Sequence, residues 1–120
     1  MPNSLTPITR EPTPIRELHW SPAEKASARR AFHRALKKEL DAIMQEAKAR
    51  TARIEDISEL WELADWLTER RREVDHKYDY RYSVLPLVFA VLLRDGWLSE
   101  ADLDGIGQDK IDRIRHAAML

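Results

Sequence analysis

Cysteine is absent from all 120 residues, and this one absence excludes disulfide staples, thiolate nucleophiles and cysteine-based zinc sites together. It fits a reducing compartment. Glycine is scarce too: the chain has 3, and the first is Gly96. No glycine-rich phosphate loop and no serine nucleophile elbow can therefore be built. The longest apolar run, Leu85 to Leu93, is far short of the about 20 residues that span a bilayer, and the N-terminus lacks the charged start and apolar stretch of a signal peptide. Nor does one sign of charge dominate: 20 Lys plus Arg stand against 21 Asp plus Glu, so no global field draws the chain to nucleic acid or anionic membrane. The expectation is a cytoplasmic protein of one domain with a modest core, too small to bury more than a limited share of its surface alone.

What is present is helical. Residues 1–19 carry Pro2, Pro7, Pro12 and Pro14 with no sustained apolar period, which predicts a flexible extension. Order begins at Ser21-Pro22-Ala23-Glu24, where Ser caps, Pro suits the first helical position and Glu returns a hydrogen bond to the cap. From there to about Arg53, Phe32, Leu36, Leu40, Ile43 and Ala47 recur at spacings of three and four, the mark of a long amphipathic helix. Asp56 with Glu59 starts a second helix, with Ile57, Leu60, Ala64, Leu67, Val74 and Tyr78 as its stripe. A third is expected over Ser83–Asp95, with Pro86 in its first turn and Gly96 as its stop. Ser99 with Asp102 opens a short segment, and a last helix places Ile111, Ile114 and Ala118 on one side. The predicted fold is all-α: two long helices form an extended stalk over about 20–79, and 80–120 form a small helical head of the same domain. A helix of about 30 residues spans roughly 45 Å, more than one small globule covers. Trp61, Leu63 and Trp66 also lie off the second helix's stripe, so a homodimer or tetramer joined through the long helices is expected.

Candidate chemistry is sparse. Glu73 and His76 have the Glu-x-x-His spacing of di-iron bundles, but such a site needs two copies and further glutamates, and a single pair reads as a solvated helix end. A helical metalloprotein is the weakest of three functional readings, no cofactor is expected, and nothing supports an enzyme. Arg29, Arg30, Arg34, Lys37 and Lys38 make a basic stretch, but Glu39, Asp41 and Glu46 follow, which favours a solvated face with salt-bridge pairs over nucleic-acid binding. The second helix is more informative. At 100° per residue Trp61, Ala64, Asp65 and Arg71 share one sector, joining aromatic, acid and base on one face. Arg71 also interrupts the apolar stripe. If buried it requires a carboxylate, with Asp65 and Asp75 nearest by type; otherwise it snorkels to solvent and Trp61 is a core anchor. Trp and Arg are also the residues enriched at binding hot spots.

Trp20-Ser21, Phe32, Glu39-Leu40-Asp41, Leu60-Trp61, Leu63, Asp65, Arg71, Glu73, Asp75, Lys77-Tyr78-Asp79, Arg81 and Ser83-Val84 together resemble the fluorescence recovery protein family, from about Trp20 to the last residue. Asp75-x-Lys77-Tyr78-Asp79-x-Arg81-x-Ser83-Val84 is the most specific part. The resemblance implies a dimeric helical stalk and head that bind the photoactivated orange carotenoid protein, speed its return to the resting state and help end quenching at the phycobilisome. It places the family's functional Trp, Asp and Arg on Trp61, Asp65 and Arg71. It also places a family histidine on Ala64 and a family head phenylalanine on Leu87. The partner-binding or dimer-interface set is thus Leu60, Trp61, Ala64, Asp65, Leu67 and Arg71, with Leu87 and Arg113 as head contacts. Because Ala64 and Leu87 depart from the pattern, the alternative is a dimeric adapter with a different protein partner in a bacterium without phycobilisomes. Residues 1–19 hold too little apolar surface to join a core, so deleting them is expected to leave melting temperature and assembly mass unchanged; a large fall in melting temperature would show that the segment is docked.

Overall fold

A computed structural model describes residues 18–120. They form four helices, α1 (Pro22–Ala52), α2 (Ile57–Lys77), α3 (Leu85–Asp95) and α4 (Gln108–Ala118), with a 3-10 turn at Glu100–Leu103, and no strand occurs among the described residues. The extension expected over 1–19 lies almost wholly outside them.

Local chemistry accounts for the helix starts. The Glu24 amide donates to Ser21 Oγ at 3.1 Å and the Ser21 amide donates to Glu24 Oε1 at 3.0 Å, a reciprocal cap with Pro22 in the first turn. Asp56 and Glu59 repeat the device at the head of α2. A third such box joins Ser99 and Asp102 but holds only the 3-10 turn, since Gly105 and Gly107 follow at once. The third helix begins at Leu85 rather than Ser83, because Arg81 to Val84 first close a turn, the Val84 amide donating to the Arg81 carbonyl at 3.0 Å. Gly96, at φ 87°, ends it in the left-handed conformation that only glycine adopts without strain.

The core lies at one end of the molecule. Leu85, Phe89 and Leu92 of α3 and Ile114 of α4 are fully buried, clustered with Leu98, Leu103 and Ile106 and with Trp20, Ala28, Ala31, Phe32 and Ala35 from α1 and its entry. The first half of α1 is therefore part of the head's core. Small residues on that half let the loop after the 3-10 turn come close: Gly105, at φ 92°, lies so near Ser27 that an added Cβ would collide with its side chain. Beyond Glu39 the helix loses this cover, and Leu40 and Met44 are exposed. The described residues extend 74 × 29 × 21 Å with a radius of gyration of 19.4 Å, against about 13 Å for a compact chain of about 100 residues.

Two carboxylates, the buried Glu39 and the partly buried Glu24, tie distant segments together. Glu24 accepts from the Gly107 amide at 2.6 Å and from Lys110 Nζ at 3.1 Å, joining the start of α4 to the start of α1. Glu39 accepts from Lys77 Nζ and Tyr78 Oη, each at 2.8 Å, joining the end of α2 to the middle of α1. Burial pushes the Tyr78 phenol well above its ordinary value, and the Glu39 carboxylate adds to the effect. The three tyrosines then form a strap that leads into the turn before α3. Tyr78 and Tyr80 set their rings edge-on to Phe32 at 5.5 and 4.8 Å, while Tyr82 reaches Tyr80 at 5.4 Å and Trp20 at 5.6 Å.

Burial alone would raise the Glu24 carboxyl, but the Ser21 amide, the Lys110 ammonium and the Gly107 amide outweigh it and hold its pKa at about 2, below the ordinary 4.5. A depressed carboxyl stabilises the fold fully above its ordinary value, and the contribution is lost as pH falls through the folded value. Stability should therefore drop between pH 4.5 and about 2, and Glu24→Gln should flatten that part of the curve while lowering the melting temperature at neutral pH. Melting temperature against pH for both proteins checks this; parallel curves would rule it out.

Candidate partner-binding face

The sequence singled out one stripe of α2, and the structure divides it. Val74 is buried and Tyr78 half-buried against α1, but Ile57, Leu60 and Leu67 are exposed at 56 %, 45 % and 38 %. The buried residue in the first half of α2 is instead Leu63, which the sequence reading had set off the stripe. Trp66, also off the stripe, is half-buried between two guanidiniums, with Arg50 of α1 at 4.4 Å and Arg70 at 5.7 Å from its ring. Those cations are held in turn: Arg50 by Glu46 at 2.8 Å and Arg70 by Glu73 at 2.7 Å. A short link, Arg53 to Asp56, joins the two helices, and α2 presents Leu63, Trp66, Arg70 and Val74 to α1. The remaining apolar residues face outward.

The outward face holds the predicted set. Trp61 is 64 % exposed and no core anchor within one chain, and Ala64, Asp65 and Arg71 are exposed with it. Arg71 lies 3.8 Å from Asp75 one turn on, a loose pair with both side chains mostly in solvent, so of the two carboxylates considered it is Asp75 and not Asp65 that it approaches. Beside this face a groove of about 490 Å³ runs between α1 and α2, floored by Leu36, Leu40, Ile43, Leu67 and Val74 and rimmed by Arg70 and Arg71. Arg70 Nε is shielded from solvent and meets no acceptor among the described residues. An exposed tryptophan flanked by leucines, an acid and an arginine has the composition of a protein-binding hot spot and offers no reacting group. In the head, Leu87 is 46 % exposed on α3 and Arg113 half-buried on α4; neither lies on the α2 face.

Glu73 and His76 form no site together: Glu73 is engaged by Arg70 and His76 is exposed. Among the described residues no group of three or more His, Asp or Glu is arranged to hold a metal ion, and no helix is long and apolar enough to cross a membrane.

The family profile described as "Photoprotection regulator fluorescence recovery protein" matches residues 20–118. The chain belongs to this family. It is 39 % identical over 104 residues to a fluorescence recovery protein of Synechocystis sp., covering 87 % of this chain and 95 % of the relative. The fluorescence recovery protein structures from Fremyella diplosiphon and Synechocystis sp. each superpose with a TM-score of 0.82, at 37 % and 39 % identity, over 85 % of this chain and the whole of theirs. The likeness supports the all-helical architecture and the regulatory class of the protein.

Sequence alone does not single out the structural roles of Tyr80, Tyr82 and Lys110, and it brings in Tyr78 only as a stripe and motif residue and Glu39 only through the charge pattern and the family resemblance. Tyr78, Tyr80 and Tyr82 alternate with charged residues just past a helix, a period of two that signals a strap rather than more helix. Glu39 and Lys110, 8 % and 3 % exposed, carried no such signal, because a charged residue in a charged helix gives no local hint of burial. Since Leu63 and not the stripe residues Ile57, Leu60 and Leu67 is buried in the first half of α2, Leu63→Ala should cost about 2–4 kcal/mol, whereas the exposed neighbour Glu62→Ala should stay within about 0.5 kcal/mol. Urea denaturation of both measures it, and equal effects would show that α2 is rotated otherwise.

Proposed function

We propose that the chain is a non-enzymatic regulator of photoprotection in the cytoplasm. It binds the photoactivated orange carotenoid protein, accelerates its return to the resting state and so helps to end quenching at the phycobilisome. The exposed face of α2 carries this reading: Leu60, Trp61, Asp65, Leu67 and Arg71 stand in solvent on a member of the fluorescence recovery protein family. Two copies burying the apolar groove between α1 and α2 make the working unit a homodimer, with 20–120 acting as one domain. The physical mechanism is population shift, in which preferential affinity for the active or barrier form speeds relaxation while an indifferent binder changes nothing. A second reading rests on Ala64 and Leu87. They lack the imidazole and the aromatic ring that the family resemblance leads one to expect there, which suits an adapter for a different protein.

Arg71→Leu separates the roles of this face. If the guanidinium serves the partner, the variant keeps its mass in sedimentation and loses the acceleration of carotenoid-protein recovery, at a cost of about 2 kcal/mol or more in binding. If it serves the assembly, the mass falls. Arg71→Lys keeps the charge but not the planar fork and should recover only part of the effect. Mass and recovery rate both unchanged for Arg71→Leu would remove this face from the function.

A further inference from the structure

The first half of α1 is charged in a way that its own stability does not explain. Between Glu24 and Glu39 stand Lys25, Arg29, Arg30, Arg34, Lys37 and Lys38, with His33 among them and no acid. Arg30 with Arg34 and Arg34 with Lys38 are like-charge pairs four residues apart, a spacing that destabilises a helix. The rest of α1 obeys the opposite rule, with Glu46 paired to Arg50 and Lys37 itself to Asp41. Acids from elsewhere neutralise the strip only in part, with Asp102 near both Arg34 and Lys38. Asp102 of the 3-10 turn takes Arg34 at 2.7 Å, while Arg29 lies over the Tyr80 ring and Arg30 donates to Ser27 Oγ, so neither meets a carboxylate among the described residues. Among the described residues the salt-bridge pairs expected from the sequence thus form at two positions, Arg34–Asp102 and Lys37–Asp41. The side chains concerned are exposed on the side of α1 opposite its buried alanines, where Arg29, Arg30, His33 and Arg34 border a shallow concavity.

We propose that this strip is a second docking surface, distinct from the α2 face, for an acidic protein segment of helical length. Repeated like charge along about 20 Å of helix matches a partner that carries carboxylates at the same spacing. A nucleic-acid duplex, whose phosphates call for a broad basic field, fits less well on a chain of formal net charge −1. The inference does not depend on the photoprotective role and defines the partner only by its charge.

The test uses the full chain and an 18-residue helical peptide with Glu at every third and fourth position, beside the same peptide with Gln for Glu and a 20-base-pair DNA duplex. The Glu peptide should bind, the Gln peptide should not, and affinity should fall at least about tenfold between 50 and 500 mM salt as exposed charges are screened. A triple variant, Arg29→Gln with Arg30→Gln and Lys38→Gln, should lose about tenfold or more at unchanged helicity and mass. Neutralising Lys48, Arg53 and Arg94 instead should leave binding as it was. Equal loss in both triple variants, binding of the Gln peptide, or tighter binding of DNA than of the Glu peptide would each overturn the proposal.

Discussion

Glu39 stands where the two halves of this molecule meet. Upstream of it α1 is covered, with Ala28, Ala31, Phe32 and Ala35 in the head's core, and downstream Leu40 and Met44 are bare. Its carboxylate, 8 % exposed, takes Lys77 at the last residue of α2 and Tyr78 at the first residue beyond. Lys77 also lies 3.8 Å from Asp95 at the end of α3. A buried charge is tolerable only when paired and hydrogen-bonded, and here one anion, one cation and one phenol satisfy each other where three helices converge. The end of α2 is thereby held against α1, and the tyrosine strap starts from a fixed point.

The strap carries that position into the head. Tyr78, Tyr80 and Tyr82 run past Phe32 to Trp20, whose ring also lies 5.5 Å from the Lys110 ammonium. Edge-on aromatic contacts add a modest stabilisation beyond area burial, and their geometry restricts how the strap can sit. Glu24 closes the circuit from the other side by binding Lys110 and Gly107. The head thus holds the apolar cluster of the molecule, and the acids Glu24 and Glu39 that brace it are both partnered.

The stalk is less well covered. Its two helices meet through Leu63, Val74 and the Arg50–Trp66–Arg70 stack, which leaves Ile57, Leu60, Trp61 and Leu67 in solvent. That surplus is the physical basis for both the dimer and the partner-binding face proposed above, since apolar surface of this kind on a folded chain marks an interaction site. Charge is divided as unevenly. The six Lys and Arg between Glu24 and Glu39 contrast with six acids and no base between Arg53 and Arg70, so the near-neutral total conceals a strongly polarised molecule.

The starts of α1 and α2 were legible because capping is local: Ser21 with Glu24 and Asp56 with Glu59 act across three residues and need nothing from the rest of the chain, whereas α3, which has no side-chain cap, starts two residues later than expected. The grouping of Trp61, Ala64, Asp65 and Arg71 was legible for the same reason, since 100° per residue determines which side chains share a face. Periodicity could not say which of two apolar faces of α2 turns inward. The packing of Leu63, Trp66 and Val74 decided that, and it left most of the predicted stripe outside. Glu39 meets Lys77 across 38 residues, and Glu24 meets Lys110 across 86. Such pairs depend on how whole helices are placed, so the sequence by itself determined the elements and the composition of the candidate face. Only the tertiary structure decided which surfaces were spent on the core and which were left for a partner.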